Sequence, residues 1–489
     1  MTGLRQAALS GARWTVAARI GLQLVTWPIT IVVMRLLAPA DYGLFAIALV
    51  VTGFITLFAE LGLGVALVQA PELTPAQARM ASSLVILLNG LIAAALVLLA
   101  PLVATVFEEP GVTAVIQVLT LELLFAAFAA VPMALLERAL KIREVSIAQM
   151  AAGICGAAVT LAAALLDAGV WALVAGSLSA GFVRSAGLIA FHGRLVWPGA
   201  LDLGSLRPMI RVSGQVLAAR VLWYWSGHAD QMVLGRILHA SILGLYNVAA
   251  QLAMLPAGKA MEAVNRVAFP ILSRLRGEAA GLQDMHRRIT ALLALYGFGI
   301  CWGLGAVAPE FVLAILGQKW QPAAVPLAVL ALVAPLRMLC AFHNTVVTAA
   351  GVPQVATREL LLASVLMPLA VGLGAWLQGL HGASLAWLLA YPVVYLFSSR
   401  LTSRAIGLGF LVSMRPLAAP LMAGLAMLVA VEASRRAMGA ELTVLLRLPV
   451  EVAVGAMAYL GVLWLVARRL LLETWSLALE LVRPGRSGG

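Results

Sequence analysis

Long apolar runs separated by short polar breaks are the main feature of this chain. Such runs recur from end to end of the sequence, and each of about 18 residues or more can cross ~30 Å of hydrocarbon as a helix. Glycine, proline and charge clusters divide the runs. The pattern predicts an all-α polytopic membrane protein with fourteen transmembrane helices, at residues 13–37, 42–68, 80–105, 112–136, 145–166, 169–192, 212–237, 241–269, 289–309, 321–347, 354–378, 381–402, 416–434 and 447–470.

The composition supports this class and excludes others. The 489 residues are 63% hydrophobic and 11% charged, whereas soluble domains are nearer 45–50% apolar and about 25% charged. Cys155, Cys301 and Cys340 occur singly, without a CxxC or metal pattern. The histidines are scattered without HExxH, and no P-loop occurs, so we expect neither an enzyme nor a bound cofactor.

Basic residues orient the helices. With the N-terminus inside, 21 of the 33 lysines and arginines fall on one side of the membrane and 6 on the other. By the positive-inside rule, both termini are predicted to be cytoplasmic. The net charge of +12 then reports membrane orientation rather than nucleic-acid binding.

The remaining basic residues fall inside spans, where a charge costs at least ~2.5 kcal/mol near a helix centre and usually faces a cavity or a partner. Function should therefore be sought at these six positions: Arg19, Arg184, Arg220, Lys259, Arg266 and Arg337.

An internal repeat relates the two halves of the chain. Shifting residues 16–48 by 201 positions gives nine identities without a gap, including Arg19 with Arg220 and Gly43 with Gly244. At the core of the match a helix ends, and a new helix is predicted to start at the glycine. The first six spans thus resemble spans seven to twelve, which predicts a parallel repeat with a central cleft and alternating access. The predicted parts are 1–203 and 204–410 as two six-helix bundles, and 411–489 as two further helices and a tail.

Three stretches carry a family resemblance. "MRLLAPADYGLFAIA", "FAELGLGVALVQ" and "DQMVLGRILHASILGLYNVAAQLAMLP" resemble the polysaccharide-transporter (oligosaccharide flippase) family of the multidrug/oligosaccharidyl-lipid/polysaccharide exporter superfamily. The resemblance implies that the chain translocates undecaprenyl-pyrophosphate-linked oligosaccharides from the cytoplasmic to the periplasmic leaflet. It also implies membrane lipids, and a polymerase with export machinery, as partners, and possible coupling to protons, sodium or the membrane potential.

The diphosphate of such a substrate favours arginine, whose planar fork donates two parallel hydrogen bonds. Arg19 and Arg220 occupy equivalent positions in the repeat, so we expect them to contact the diphosphate. Snorkelling to the lipid headgroups is the alternative, since each lies one to two turns inside the cytoplasmic boundary.

A charged stripe follows in span eight. Lys259, Glu262 and Arg266 are spaced by three and four residues, so they share one helical face. This stripe is predicted to line the cleft. Alternatively, Glu262 simply pairs with the two cations inside the bundle.

Acidic residues within spans are candidates for coupling. Glu60 and Asp230 could either neutralise an arginine or bind a coupling ion or proton. Glu359, which follows Arg358, is interpreted as part of an ordinary cytoplasmic helix start.

An aromatic cluster in span seven contains Trp223 and Tyr224 beside Trp225 and His228. These rings could stack on sugar faces. Alternatively, they pack helices or anchor the membrane interface.

Other functions remain open at this point. A lipid-linked cell-wall-precursor flippase is closely related. A multidrug or cation antiporter should have an acidic cavity, and here six basic residues in the spans outnumber the acids. A membrane polymerase or ligase should carry a sizeable extracytoplasmic loop, and the predicted loops are too short.

Overall fold

The structure is a computed structural model that describes residues 21–60, 74–192, 203–438 and 443–482, with single residues at 196 and 199. Side chains are described in these ranges except at 59–60, 203–219 and 469–482. The described residues form helices and connections without a strand. They divide into two compact units, residues 1–244 and 245–489. The predicted bundles were defined by the repeat in the sequence, which this division into units does not test, so their boundaries stay a prediction.

Unit 1 (residues 1–244) is built from eight described helices and the first turn of a ninth. Within it, α6 packs along α7, α5 packs on α7, α3 packs on α5, and α2 packs on α8. The helices are α1 Gly21–Leu36, α2 Pro39–Glu60, α3 Pro75–Phe107, α4 Gly111–Leu119, α5 Leu121–Arg138, α6 Ile142–Leu165, α7 Val170–His192, α8 Leu203–Ile237 and α9 Ala240–Arg274.

A capping box fixes the start of α3 at Pro75, five residues before the span predicted at 80–105. The Thr74 hydroxyl accepts a hydrogen bond from the Gln77 backbone N–H at 3.2 Å. The Gln77 side-chain oxygen accepts one in return from the Thr74 N–H at 3.0 Å. This reciprocal capping box satisfies two backbone donors that a helix start would otherwise leave unpaired.

Unit 2 (residues 245–489) contains the rest of α9 and eight further helices. Within it, α13 packs along α14 and α16 along α17. The helices are α10 Ala279–Tyr296, α11 Trp302–Ala306, α12 Ala308–Ile315, α13 Ala324–Ala349, α14 Gln354–Ala405, α15 Phe410–Met414, α16 Ala418–Met438 and α17 Val444–Val482, with a π turn at Gly297–Cys301 between α10 and α11.

The long helix α14 contains a reversal at the break predicted between spans eleven and twelve. Gln378 and Gly379 leave the helical conformation, and Gly379 has φ 58°. A Cβ on Gly374 would lie 2.3 Å from the Gly382 carbonyl oxygen. Residues eight apart in a straight helix are about 12 Å apart along its axis. The chain therefore folds back, and α14 is a helical hairpin.

Eleven helices in the described residues are long and apolar enough to cross a membrane. This confirms an all-helical, multi-pass membrane protein. That number treats the α14 hairpin as one helix, and it omits α8 and the 16 described residues of α1. The fourteen-helix count and its two-bundle arrangement stay predictions.

The repeat-equivalent glycines lie at one close helix contact inside unit 1. A Cβ on Gly43 would lie 1.7 Å from the Ala240 oxygen, and a Cβ on Gly244 would lie 1.9 Å from the Pro39 oxygen. The repeat also makes Pro39 and Ala240 equivalent, so the contact is reciprocal, as a local two-fold relation requires. The helices start at these two residues, four positions before the glycines, so the prediction that they start at the glycines is wrong. The glycines serve close packing instead.

Two adjacent glutamates fix the same corner. The Arg236 guanidinium lies 2.9 Å from the Glu108 carboxylate. The Glu109 carboxylate accepts a hydrogen bond at 2.8 Å from the backbone N–H of Ala240. That N–H is the first of α9 and has no partner within the helix. The equivalent first residue of α2 is proline, which has no N–H to satisfy.

Replacing Gly43 by alanine should destabilise the protein by about 1–3 kcal/mol, as overpacking of a close contact typically does. Thermal unfolding of the purified protein in detergent measures the effect. The control is Gly90→Ala in α3, because a Cβ there meets nothing within 4 Å. An unchanged melting temperature for Gly43→Ala would contradict the close contact.

Candidate functional site

The charged stripe predicted in span eight forms on α9. The Glu262 carboxylate lies 2.6 Å from the Arg266 guanidinium and 3.9 Å from the Lys259 ammonium. Beside it, the Thr345 hydroxyl of α13 donates to the Asn265 amide oxygen at 2.8 Å. The three charged side chains share one face, as their spacing predicts.

The depth of Lys259 decides what this face meets. At 1.5 Å per residue, Lys259 lies about 29 Å from the start of α9 and about 22 Å from its end. Its side chain is 45% exposed. An ionised side chain at this depth is stable only toward water or a polar partner, and Glu262 is shared with Arg266. The stripe is therefore suited to line an aqueous cavity that carries an excess of positive charge.

The other predicted diphosphate ligands lie in unit 1. Arg220 is half-buried on α8 and is engaged in an interaction with another group. Arg19 lies outside the described residues, as does the side chain of Glu60. The roles predicted for these three residues stay predictions.

The aromatic candidates separate in the structure. Tyr224 joins α8 to α2, because its hydroxyl donates to the Val50 carbonyl oxygen at 2.8 Å. Its ring stacks on His228, with ring centroids 4.2 Å apart. Trp223 on the next face is 67% exposed. Tyr224 thus has a packing role in this structure, and Trp223 has the accessible ring.

Asp230 is buried on α8 at 8% exposure, and another group interacts with it. This placement is compatible with both of its predicted roles, as an arginine partner and as a coupling acid.

An apolar groove in unit 2 was not predicted from the sequence. It has a volume of about 800 Å³, and its wall includes Tyr296, Gly299, Gly303, Met427, Gly455 and Tyr459. The π turn Gly297–Cys301 forms part of one side; such turns are frequent at functional sites. Two wall residues, Ile300 and Leu460, are 51% and 55% exposed, so the groove opens on the protein surface.

Tyr296 connects this groove to α9. Its hydroxyl donates to the Pro256 carbonyl oxygen at 3.2 Å, and Pro256 precedes Lys259 by less than one helical turn. This hydrogen bond thus connects a residue of the apolar wall to the helix that carries the cationic stripe. This pairing suits an amphiphile that has an acidic headgroup and a hydrocarbon chain.

A buried ion-pair network lies at the end of the groove, where Glu451 forms part of the wall. Arg435 donates to both Glu310 carboxylate oxygens, at 3.0 and 2.8 Å. Its guanidinium is also 3.4 Å from Glu451, and Arg447 lies 4.0 Å from Glu310 and from Glu451. The network ties α12 to α16 and α17, because a buried carboxylate needs a cation beside it. From the sequence, Arg435 and Arg447 were predicted only to be among the six basic residues on the side of the membrane opposite the termini.

The interpretation of Glu359 as part of an ordinary helix start is wrong in one respect, because its side chain is buried. It is 6% exposed and accepts a hydrogen bond from the Ser398 hydroxyl at 2.8 Å. The acid therefore belongs to the interior of unit 2 rather than to an ordinary exposed helix start. Its partner is 39 positions away, so local spacing carried no signal for it.

Comparison with known proteins identifies the family. A family model described as polysaccharide biosynthesis protein matches residues 32–325, which is more than half of the chain. The chain belongs to the polysaccharide biosynthesis protein family. This membership confirms the family resemblance predicted from the turn motifs.

Three relatives match most of this chain. It is 25% identical to the lipopolysaccharide biosynthesis protein WzxC of Escherichia coli (strain K12), covering 79% of each protein. It is 25% identical to the teichuronic acid biosynthesis protein TuaB of Bacillus subtilis (strain 168), covering 95% of this chain and 96% of TuaB. It is 26% identical to the succinoglycan biosynthesis transport protein ExoT of Rhizobium meliloti (strain 1021), covering 94% and 93%.

Solved structures show the fold. The lipid II flippase MurJ in an inward closed conformation matches with a TM-score of 0.74 at 12% identity, over 94% of this chain and 99% of that one. An inward-facing multidrug transporter of the MATE family matches with a TM-score of 0.57 at 14% identity, over 78% and 95%. That transporter belongs to the MOP superfamily. The chain therefore shares its fold with these transporters and is a membrane protein of the polysaccharide biosynthesis family.

Tyr224→Phe should separate packing from sugar contact. It keeps the ring but removes the bond to Val50, so the free energy of unfolding should fall by about 0.5–1.5 kcal/mol while glycan export continues. The measurements are thermal unfolding and the amount of surface polysaccharide in a complemented deletion strain. Loss of export at unchanged stability would instead place the Tyr224 hydroxyl on the substrate.

Proposed function

We propose that this protein flips an undecaprenyl-pyrophosphate-linked oligosaccharide from the cytoplasmic to the periplasmic leaflet of a bacterial inner membrane, with both termini in the cytoplasm. The observation that carries the proposal is the pairing, within unit 2, of the cationic α9 stripe with the apolar groove, joined by the Tyr296–Pro256 hydrogen bond. The family supplies the context of polysaccharide biosynthesis.

Each part of the proposed substrate has a matching surface. In unit 2, the diphosphate meets Lys259 and Arg266. In unit 1, Arg220 and Arg19 stay proposed diphosphate ligands. Arginine and lysine donate charge-assisted hydrogen bonds to phosphate oxygens. The sugars enter the cavity that the stripe lines. In unit 1, Trp223 offers an exposed ring on which a sugar can stack. Part of the polyprenyl chain lies in the groove.

The groove supports a lipid rather than a water-soluble substrate. Its wall is apolar apart from a few groups, and exposed wall residues make it continuous with the surface of helices that are apolar enough to span a membrane. Hydrocarbon gains dispersion contacts with such a wall. Transport of this kind breaks and forms no covalent bond, so the proposal is a transporter and not an enzyme.

The charge of the stripe disfavours cation transport. Two basic side chains share one acid on this face of α9, so a cation would enter against like charge. An anionic headgroup adds the missing negative charge. This balance is the reason for preferring a lipid-linked diphosphate over the multidrug or cation antiporter alternative.

Charge reversal tests the diphosphate site. A charge-assisted hydrogen bond contributes about 1.5–3 kcal/mol, and each 1.4 kcal/mol is tenfold. Lys259→Glu should therefore lower flipping about 10- to 100-fold. The assay follows a fluorescent polyprenyl-diphosphate-linked disaccharide in proteoliposomes by its protection from a membrane-impermeant quencher.

The matched control for this experiment is Lys319→Glu, which reverses an exposed lysine in the connection between α12 and α13. It should flip the probe at the wild-type rate.

The Arg19→Glu, Arg220→Glu double variant should also insert normally and fail to flip. Wild-type flipping by the double variant would remove both arginines from the proposed site.

Filling the groove tests the lipid surface. A Cβ on Gly303 would meet only the Met427 side chain, at 3.8 Å or more, so Gly303→Phe places a ring into the groove. It should slow flipping of a long polyprenyl probe about tenfold, the effect of losing some 1.4 kcal/mol of binding. A farnesyl probe with the same headgroup should be affected less.

The control for the groove is Gly461→Phe on α17, where an added Cβ meets nothing within 4 Å. It should leave the flipping rates of both probes unchanged. Equal slowing of the long and short probes by Gly303→Phe would show that the groove does not hold the lipid chain.

A further inference from the structure

A series of buried polar groups runs through the interior of unit 2, apart from the groove and the stripe. Hydrogen bonds and one contact between histidine rings connect them. Glu359 accepts from the Ser398 hydroxyl at 2.8 Å. The Ser398 oxygen lies 3.1 Å from Nδ1 of His343. The rings of His343 and His286 follow, with centroids 5.7 Å apart. Nε2 of His286 lies 3.3 Å from the Ser413 hydroxyl.

These titratable groups are among the most buried in the described part of the chain. Glu359 is 6% exposed, His343 1% and His286 0%. The polar groups that contact the carboxylate are the Ser398 hydroxyl and the Cys340 thiol, both neutral. The buried Glu310 carboxylate described above has an arginine beside it, whereas Glu359 is held by neutral donors. A proton is the one cation that such a site accommodates without further ligands.

Two imidazole nitrogens in the same place lack protein partners. Nε2 of His343 and Nδ1 of His286 are buried and form no hydrogen bond within the described residues. Buried nitrogen atoms are normally satisfied, so each such exception needs a reason. A role in which the imidazole changes its protonation state supplies one.

The hydrogen-bond chain can run in either direction. In one state, protonated Glu359 donates to the Ser398 oxygen and the Ser398 hydroxyl donates to Nδ1 of His343, which carries its hydrogen on Nε2. If the carboxyl proton moves to the serine oxygen and the serine hydrogen moves to Nδ1, a carboxylate and an imidazolium result. Proton count and total charge are conserved in this step. A serine between an acid and a histidine is therefore a working relay.

Groups from every neighbouring helix face the relay. Cys340 on α13 faces Glu359 and Tyr391. Tyr395 on α14 stacks on His343, with centroids 5.7 Å apart. Arg337 on α13 interacts electrostatically with Tyr391, and its guanidinium packs over the Trp387 ring at 4.6 Å. The polar groups in direct contact with the Glu359 carboxylate are neutral.

We propose that Glu359, Ser398 and His343 form a proton-binding site that couples transport to a proton gradient. The coupling rests on the proposed flippase function, whereas proton binding does not. Glu359 lies on the second turn of α14, at the end that carries the exposed Arg358 and that the basic residues predict to be cytoplasmic. A sodium site would instead need several oxygen ligands, and the neighbours here include a thiol and imidazole rings.

The first experiment measures protonation without any substrate. Infrared difference spectra of the reconstituted full chain, taken across a pH series, should contain a carboxylic-acid C=O band that is lost in Glu359→Gln. Glutamine keeps the size and the hydrogen bond to Ser398 but cannot titrate. The band should persist in the control Glu278→Gln, which changes an exposed glutamate. It should shift in Ser398→Ala, which interrupts the relay.

The second experiment measures coupling. In proteoliposomes with an imposed pH gradient, Glu359→Gln should lower gradient-driven flipping of the fluorescent lipid probe by about tenfold, within the range of typical site-to-site coupling. Glu359→Asp, which retains a titratable group, should restore part of that stimulation. A melting temperature near that of the wild type shows that Glu359→Gln is folded.

The outcomes separate the two proposals. Identical infrared series for the wild type and Glu359→Gln would overturn the proton site whether or not the chain flips lipids. A band that titrates in a protein unable to flip the probe would leave the proton site standing and contradict the flippase. A sodium-dependent rise in melting temperature that Glu359→Gln abolishes would overturn the choice of ion. Flipping by Glu359→Gln with the wild-type pH dependence would overturn the coupling.

Discussion

The cost of an ionisable side chain in the hydrocarbon layer governs where this chain carries charge. The structure meets that cost in three ways. Lys259 remains half-exposed at mid-helix, which requires water beside it. Glu310 and Arg435 pair inside a buried network. Glu359 is buried with neutral hydrogen-bond donors. The three arrangements differ in what they can do. Lys259 is open to a ligand, the Glu310–Arg435 pair holds helices together, and Glu359 can be neutralised by a proton.

Close backbone contact is the second physical device of the fold. Membrane helices gain little from the hydrophobic effect against one another, so small residues that bring backbones together determine how they pack. Gly43 and Gly244 do this reciprocally at the start of two helices. The Glu108–Arg236 pair and the Glu109–Ala240 bond add polar contacts at the same corner. A duplicated sequence segment thus meets its own copy, which explains why the repeat is best preserved at this turn.

Features encoded locally could be predicted from the sequence. Apolar runs gave the helical membrane class, the glycine punctuation located the reversal in α14, and the spacing of Lys259, Glu262 and Arg266 placed them on one face. Helix starts were less accurate, because Pro39 begins α2 four residues before the conspicuous Gly43. The groove and the relay could not be predicted. Their members come from helices far apart in the chain, and a single sequence carries no signal for such contacts.

The same limit applies to the role of a residue once its position is known. Tyr224 and Trp223 are neighbours in an aromatic cluster, yet one is bonded to the α2 backbone and the other is exposed. Helical geometry explains the split, since adjacent residues point about 100° apart. The sequence therefore predicted a cluster of aromatic residues, and only the structure distinguished their environments.

One helix, α10, links the surroundings of the proposed proton site to the groove. The ring of His286, in the first half of α10, lies beside His343 of the proposed site, while Tyr296 at the end of α10 forms part of the groove wall and bonds to α9 near Lys259. Coupling between sites requires an element with two arrangements that both sites bias. The π turn that follows Tyr296 interrupts the regular helical bonding, and such turns are places where a helix can adjust its register. A change in the charge of His343 would act on α10 through the adjacent ring of His286, and the π turn would let Tyr296, with its contacts to the groove and to α9, follow.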